Sequence, residues 1–226
     1  MFTGIIEETG TVRSVTVGKA GAVLDIDASV VLENTAAGDS IAVNGVCLTV
    51  MPGHGHFTAD VMPESLRRTS LGSLVPGAKV NLERSMACGG RFGGHLVSGH
   101  VDACGKVVGL KKEGIAMLMR VAVPPSIMKY IAEKGSVTLD GVSLTVASVG
   151  ADSLTVSLIP HTLASTTLGF LRTGCPVNVE VDMLSRYVER LLEYRNVPDG
   201  RPESPDDQDK GHGGGLTLDF LRENGF

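Results

Sequence analysis

Residues 57–86 of this chain, FTADVMPESLRRTSLGSLVPGAKVNLERSM, return in altered form at residues 154–183, LTVSLIPHTLASTTLGFLRTGCPVNVEVDM, with 12 identities in 30. Two further segments repeat in the same order. SIAVNGVCLTV from Ser40 matches SVTLDGVSLTV from Ser136, and TGIIEETGTV from Thr3 matches SGHVDACGKV from Ser98. The offset drifts from 95 to 97 along the chain, as loop insertions of one residue would make it. A repeat of this kind requires one fold solution to serve twice, so the chain is two copies of a unit of about 95 residues.

Each copy reads as β structure. Asn44-Gly45 and Asp140-Gly141 split short β-branched runs and accept the positive φ of a tight hairpin turn. AKVNLE and CPVNVEV alternate apolar and polar, as half-buried strands do. Short strands at this spacing, with 29 Gly and no Trp in the chain, predict a small closed Greek-key barrel per copy. In the second copy, helices are expected over Ser126–Lys134, capped by Ser126 and ended by a left-handed Gly135, and from Pro160 to Gly169. After it, Leu184, Tyr187, Val188, Leu191 and Leu192 fall on one helical face over Met183–Arg195. That stripe packs either on its own barrel or on copies of itself. Residues 196–226 read as a flexible acidic tail with a short amphipathic end, and 197–226 carry 7 acids against 3 bases.

The formal net charge of −5 argues against a nucleic-acid-tracking protein. No apolar run approaches membrane-spanning length, and the first residues lack a secretory pattern, so a cytoplasmic protein is expected. Cys47, Cys88, Cys104 and Cys175 include no CxxC pair and read as free thiols. Cys88, His95, His100 and Cys104 form no closely spaced ligand pairs, so no metal is expected, and no nucleotide or prosthetic-group motif is present. The copies differ at polar positions. Cys47 stands opposite Ser143, Asn44 opposite Asp140, Ser85 opposite Asp182, and Glu64 opposite His161. Two sites of like shape and unlike chemistry are expected, working by holding substrates with some acid–base help.

MFTGII, NGVCLTV, GGHLVSGHVD, MKYIAEKGSVTLDGVSLTV, LIPHTLASTTLG and NVEVD resemble the riboflavin synthases of the duplicated, two-barrel kind, in order from residue 1 to about 195. The resemblance implies a mainly β fold with two tandem six-stranded Greek-key barrels, residues 1–97 and 98–182, and a trimerisation helix at 183–195. It implies a transferase that converts two molecules of 6,7-dimethyl-8-ribityllumazine into riboflavin and 5-amino-6-(D-ribitylamino)uracil, without cofactor or metal. It further implies a homotrimer, with each site formed by the first barrel of one subunit and the second of its neighbour. Association with lumazine synthase is left open.

By the same resemblance, the first-barrel pocket uses Gly4, Ile5 and Ile6, then Cys47, Leu48 and Thr49, then Asp60, Val61, Met62, Pro63, Glu64 and Ser65. Gly99, His100 and Val101 join it. The second-barrel pocket uses Lys134, then Ser143, Leu144 and Thr145, then Ser157, Leu158, Ile159, Pro160, His161 and Thr162. His100 is implied as a proton carrier, and Cys47, Ser143 or water as a transient nucleophile. Phe2, Lys134 and Asp182 shape or polarise the site. A non-catalytic antenna protein of the same fold is the alternative. Retention of Cys47, Ser143, Lys134 and Asp182 favours the enzyme.

Overall fold

A computed structural model describes residues 1–195 of the chain; the acidic tail expected at 196–226 lies outside the described residues. The first copy supplies six strands: β1 (Glu8–Gly18), β2 (Gly21–Asp27), β3 (Ser40–Val43), β4 (Val46–Pro52), β5 (His56–Val61) and β6 (Lys79–Arg84). The second supplies β7 (Ala103–Glu113), β8 (Ala116–Ala122), β9 (Ser136–Leu139), β10 (Val142–Val149), β11 (Ser153–Leu158) and β12 (Pro176–Val181). Both sets close in the same order, β1-β2-β5-β4-β3-β6 and β7-β8-β11-β10-β9-β12, through antiparallel pairs. Closure leaves no free edge at the first or last strand of either copy.

Alternation along the strands fills the two interiors. Leu24, Ile26, Ile41, Phe57, Val80 and Leu82 bury inside the first barrel. Met119, Val121, Leu139, Leu154, Val177 and Val179 do so in the second. The Asn-Gly and Asp-Gly turns form as the residues dictate. Asn44 and Asp140 both sit at φ 46, and Val43 pairs with Val46 as Leu139 does with Val142.

Short helices sit at matched places, α1 (Pro63–Arg68) and α3 (Pro160–Ser165), each opened by its proline. Two expected boundaries move. The helix expected over Ser126–Lys134 is the single turn α2 (Pro125–Met128), with Pro124 at its N-cap and no side-chain cap from Ser126. The left-handed residue is Lys134 at φ 64 rather than Gly135, because the chain must turn there for Lys134 N–H to reach Val146 O. α3 stops at Ser165, and Gly169 lies within a separate 3-10 turn over Thr167–Phe170. The stop comes from Thr166, which is extended and whose hydroxyl accepts from Leu168 N–H.

The barrels are locked together by a reciprocal polar seam. The Asn81 side chain donates to Asp140 O and accepts from Thr167 N–H, both in the second barrel. Asn178 repays this in kind, donating to Asn44 O and accepting from Ser70 N–H. Every one of these groups is buried, so each bond satisfies a polar atom that water cannot reach. Both barrels belong to one compact unit, Met1–Tyr187. The last helix, α4 (Met183–Arg195), begins at Asp182, whose carboxylate accepts from Leu184 N–H. Among the described residues, its stripe of Leu184, Tyr187, Val188, Leu191 and Leu192 is between 54% and 70% exposed.

Candidate functional site

Each barrel has one seam where ladder pairing stops early. β4 and β5 pair only from Val50 opposite Ala59 outward, so Cys47, Leu48 and Thr49 have no partner strand on the side of Asp60 and Val61. In the second barrel, β10 and β11 pair from Val146 opposite Val156, leaving Ser143, Leu144 and Thr145 unpaired with Ser157 and Leu158. An interrupted ladder leaves backbone donors and acceptors for another molecule. α1 and α3 follow directly on these seams. They put Met62, Pro63, Glu64 and Ser65 beside one, and Ile159, Pro160, His161 and Thr162 beside the other.

The third part of each pocket comes from a segment that crosses between barrels. Gly99 lays its carbonyl on Cys47 N–H at 2.9 Å, and Gly4 lays its own on Ser143 N–H at 2.7 Å. Both glycines have positive φ, and a Cβ on either would come within 2.7 Å of the facing residue, so no side chain fits. A buried carboxylate holds each crossing. Glu83 accepts from Thr3 N–H, Thr3 O–H and Gly4 N–H at 2.7, 2.8 and 3.0 Å. Glu180 accepts from Ser98 N–H, Ser98 O–H and Gly99 N–H at 2.7, 2.7 and 3.0 Å. Burial raises the pKa of both acids, and the converging donors oppose it.

This geometry corrects one grouping. Gly4 and Ile6, expected in the first-barrel pocket, reach the second barrel, where Gly4 O accepts from Ser143 N–H and Ile6 packs on the core, while Ile5 lies in a cleft beside the first barrel. The segment leaves its own barrel because Glu83 holds it at the seam between the two. Gly99 and Val101 make the matching move onto the first barrel, with His100 exposed between them. A cleft of about 660 Å³ beside the Gly4 crossing, lined by Thr3, Ile5, Ser40, Glu83, Ser85 and Arg91 among others, contains only Ile5 of the expected pocket residues.

Other expected residues fall at distinct depths. Phe2 is fully buried with Ala42 and Val97 behind Cys47, where it backs the pocket wall. Lys134 and His161 are exposed, and Asp182 is half-buried at the start of α4. Identity between the copies marks the seam residues Asn81 and Asn178 and the clamps Glu83 and Glu180, none of which carries a site motif. His95 has no metal-ligating partner among the described residues. Its Nδ1 instead meets Ser143 Oγ at 2.7 Å. Burial lowers its pKa, against the opposing pull of the Asp182 carboxylate.

Comparison with known proteins places this arrangement. Residues 3–85 and 98–182 each match the Lumazine binding domain family. Riboflavin synthase of Actinobacillus pleuropneumoniae is 46% identical over 227 residues, covering all of both chains. That of Bacillus subtilis is 45% identical over the same full span. Riboflavin synthase of Mycobacterium tuberculosis is 50% identical over 197 residues, covering 85% of this chain and 98% of its own. Among solved structures, LumP complexed with riboflavin superposes with a TM-score of 0.75 at 24% identity, covering 80% of this chain and 99% of LumP.

Proposed function

The chain belongs to the riboflavin synthase family, and on that premise we propose that it dismutates 6,7-dimethyl-8-ribityllumazine into riboflavin and 5-amino-6-(D-ribitylamino)uracil. The observation that carries this reading is the pair of matched interrupted seams, one per barrel, each completed by a glycine from the other copy. A reaction that consumes two identical molecules needs two like receptacles. Holding two reactants in register is worth roughly 7–11 kcal/mol of barrier.

In this reading, backbone groups at Cys47–Thr49 and Ser143–Thr145 pair with the pyrimidinedione edge. Polar side chains beside α1 and α3 take the ribityl hydroxyls. The C7 methyl of one lumazine loses a proton while a nucleophile adds at C7 of the other, and a four-carbon unit then passes between them. His100, exposed beside Gly99, is the proton carrier. Cys47, Ser143 or water is the nucleophile, while Lys134 and Asp182 polarise the second-barrel side.

The working assembly in this reading is a homotrimer. The stripe on α4, exposed among the described residues, supports it, because such an apolar face gains by burial against copies of itself. The active site then forms where the first barrel of one protomer faces the second barrel of the next. Among the described residues no helix is long and apolar enough to cross a membrane, which agrees with work in the cytoplasm.

Incubating the purified chain with the lumazine tests the reading. Riboflavin absorbance should grow with one riboflavin formed for every two lumazines consumed. No flavin, or a one-to-one yield, would overturn it.

A further inference from the structure

Three residues beyond each crossing glycine stands a carboxylate, Glu7 after Gly4 and Asp102 after Gly99. Both grip the end of their barrel's last strand in the same way. Glu7 accepts from Arg84 N–H and Asp102 from Val181 N–H, each at 2.7 Å. Each acid also takes an arginine, and here the copies part. The cation for Glu7 is Arg84 of β6 itself, which donates through Nε at 2.9 Å and directs another N–H to Glu33 O. The matching strand residue, Val181, has no charge to offer. Asp102 is paired instead by Arg186, from the first turn of α4.

Arg186 has a second contact on another element. Its guanidinium carbon lies 5.2 Å over the Tyr130 ring, within cation–π range. Tyr130 packs on the second-barrel core, and its N–H is held by Ile127 O. The turn that bears Arg186 is itself fixed, since Asp182 accepts from Leu184 N–H and Ser185 N–H at 3.0 Å each. Three segments therefore meet at one guanidinium. One carries His100, two residues before Asp102. Another carries Lys134, four residues after Tyr130. The third is the start of α4, with Asp182 one turn before Arg186.

Stability alone is a weak reason for this meeting. The Arg186 side chain is 48% exposed, and an ion pair with one partner in solvent adds only about 0–1 kcal/mol. Position is a stronger reason, because a shift of about 1 Å in a reacting group can cost about 100-fold in rate. We propose that Arg186 is a positioning residue for the second-barrel side of the site: its guanidinium gathers the segments bearing His100, Lys134 and Asp182, and so ties their placement to the first turn of α4. The proposal rests on the lumazine dismutation argued above.

Steady-state kinetics on a double-mutant cycle tests it. Arg186→Met keeps the stem and removes the charge. It should lower kcat about 10–100-fold, with KM within about threefold of the parent's. Arg186→Lys keeps a cation within reach of Asp102 and should recover most of that loss. Asp102→Asn keeps an acceptor for Val181 N–H and removes the ion pair. In that background Arg186→Met should cost at most about threefold more, because the arginine's charged hold is already gone. Losses that multiply, a change in KM alone, or a parent-like kcat in Arg186→Met would overturn the proposal. So would a fall in kcat that tracks loss of the parent's assembly in sedimentation, since Arg186 would then act on assembly alone.

If Arg186→Met does not fold, Arg186→Gln takes its place. The ring resonances of His100 in the full chain give a reading free of turnover. They should move in Arg186→Met and return toward the parent's in Arg186→Lys. Resonances unchanged by the first variant, or displaced as far by the second, would sink the idea. A parent that makes no riboflavin would overturn the function proposed above, and those resonances would still decide whether Arg186 holds the His100 segment.

Discussion

Glu83 and Glu180 stand at matching positions and do the same work, each clamping an entering strand with three hydrogen bonds. Cys47 and Ser143 are matched just as closely and do not. One lies free beside Phe2, the other is tied to His95. The contrast recurs one layer deeper, where the seam asparagines Asn81 and Asn178 are identical but the turns they grip read Asn44 in one barrel and Asp140 in the other. The groups that hold the crossings and grip the turns are identical, whereas the side chains at the turns and at the two glycine contacts differ.

The largest expected effect tests whether the crossing residues have separate jobs. His100 follows Gly99 as Ile5 follows Gly4. His100→Ala should reduce turnover by about 10²–10⁴-fold, the span general acid–base help normally covers. Ile5→Ala should raise KM and leave kcat near the parent's. Steady-state kinetics on both variants reads this directly, and equal losses would erase the distinction.

A second comparison sharpens the symmetric part. Asn81→Ala strands Thr167 N–H and Asp140 O, and Asn178→Ala strands Ser70 N–H and Asn44 O. With two buried groups unpaired in each case, both variants should lose about 4 kcal/mol by denaturant unfolding. A large disparity between them would show that the seam does not bear equally on its two sides.

The third effect has the opposite sign and appears only as pH rises. Asp140 is fully buried, and burial raises its pKa from 3.8 to about 7. An acid whose folded pKa is raised gives its full stability below the unfolded value and loses it as pH climbs through the folded one. The parent therefore weakens between pH 3.8 and about 7 through this group. Asp140→Asn restores the residue found at Asn44 and keeps an acceptor for Asn178 N–H. It should match the parent near pH 4 and exceed it by up to about 4 kcal/mol above pH 7. Parallel stability curves for the two proteins would show that Asp140 does not titrate in this window.

Much of the fold was legible because the repeat states it twice. Two copies of Asn/Asp-Gly, of Pro-x-x-Leu and of the alternating Val80 and Val177 strands leave few topologies open, and the Greek-key barrels follow. The helix ends were less legible. Ser126 and Gly135 have the right chemistry for caps, yet the demand that Lys134 N–H reach Val146 O is tertiary and leaves no local mark. The candidate site divides the same way. Residues such as Cys47 and Ser143 stand out by their mismatch, whereas the exchange of Gly4 and Gly99 between barrels depends on Glu83 and Glu180 acting across some 80 residues of chain. His95 was hidden for the opposite reason, as a singleton in a chain read through its duplicates.

The exchange of crossing strands has a consequence for descent. Neither half can finish its own cavity, since each borrows the glycine that seals it. A lone ancestral barrel with the same strand at its start would have had an unsealed recess and an unsatisfied donor at its rim. Two such molecules facing one another could have closed both at once. The present chain then reads as a fused couple, and joining the ends freed each member to drift in composition while the handshake stayed unchanged.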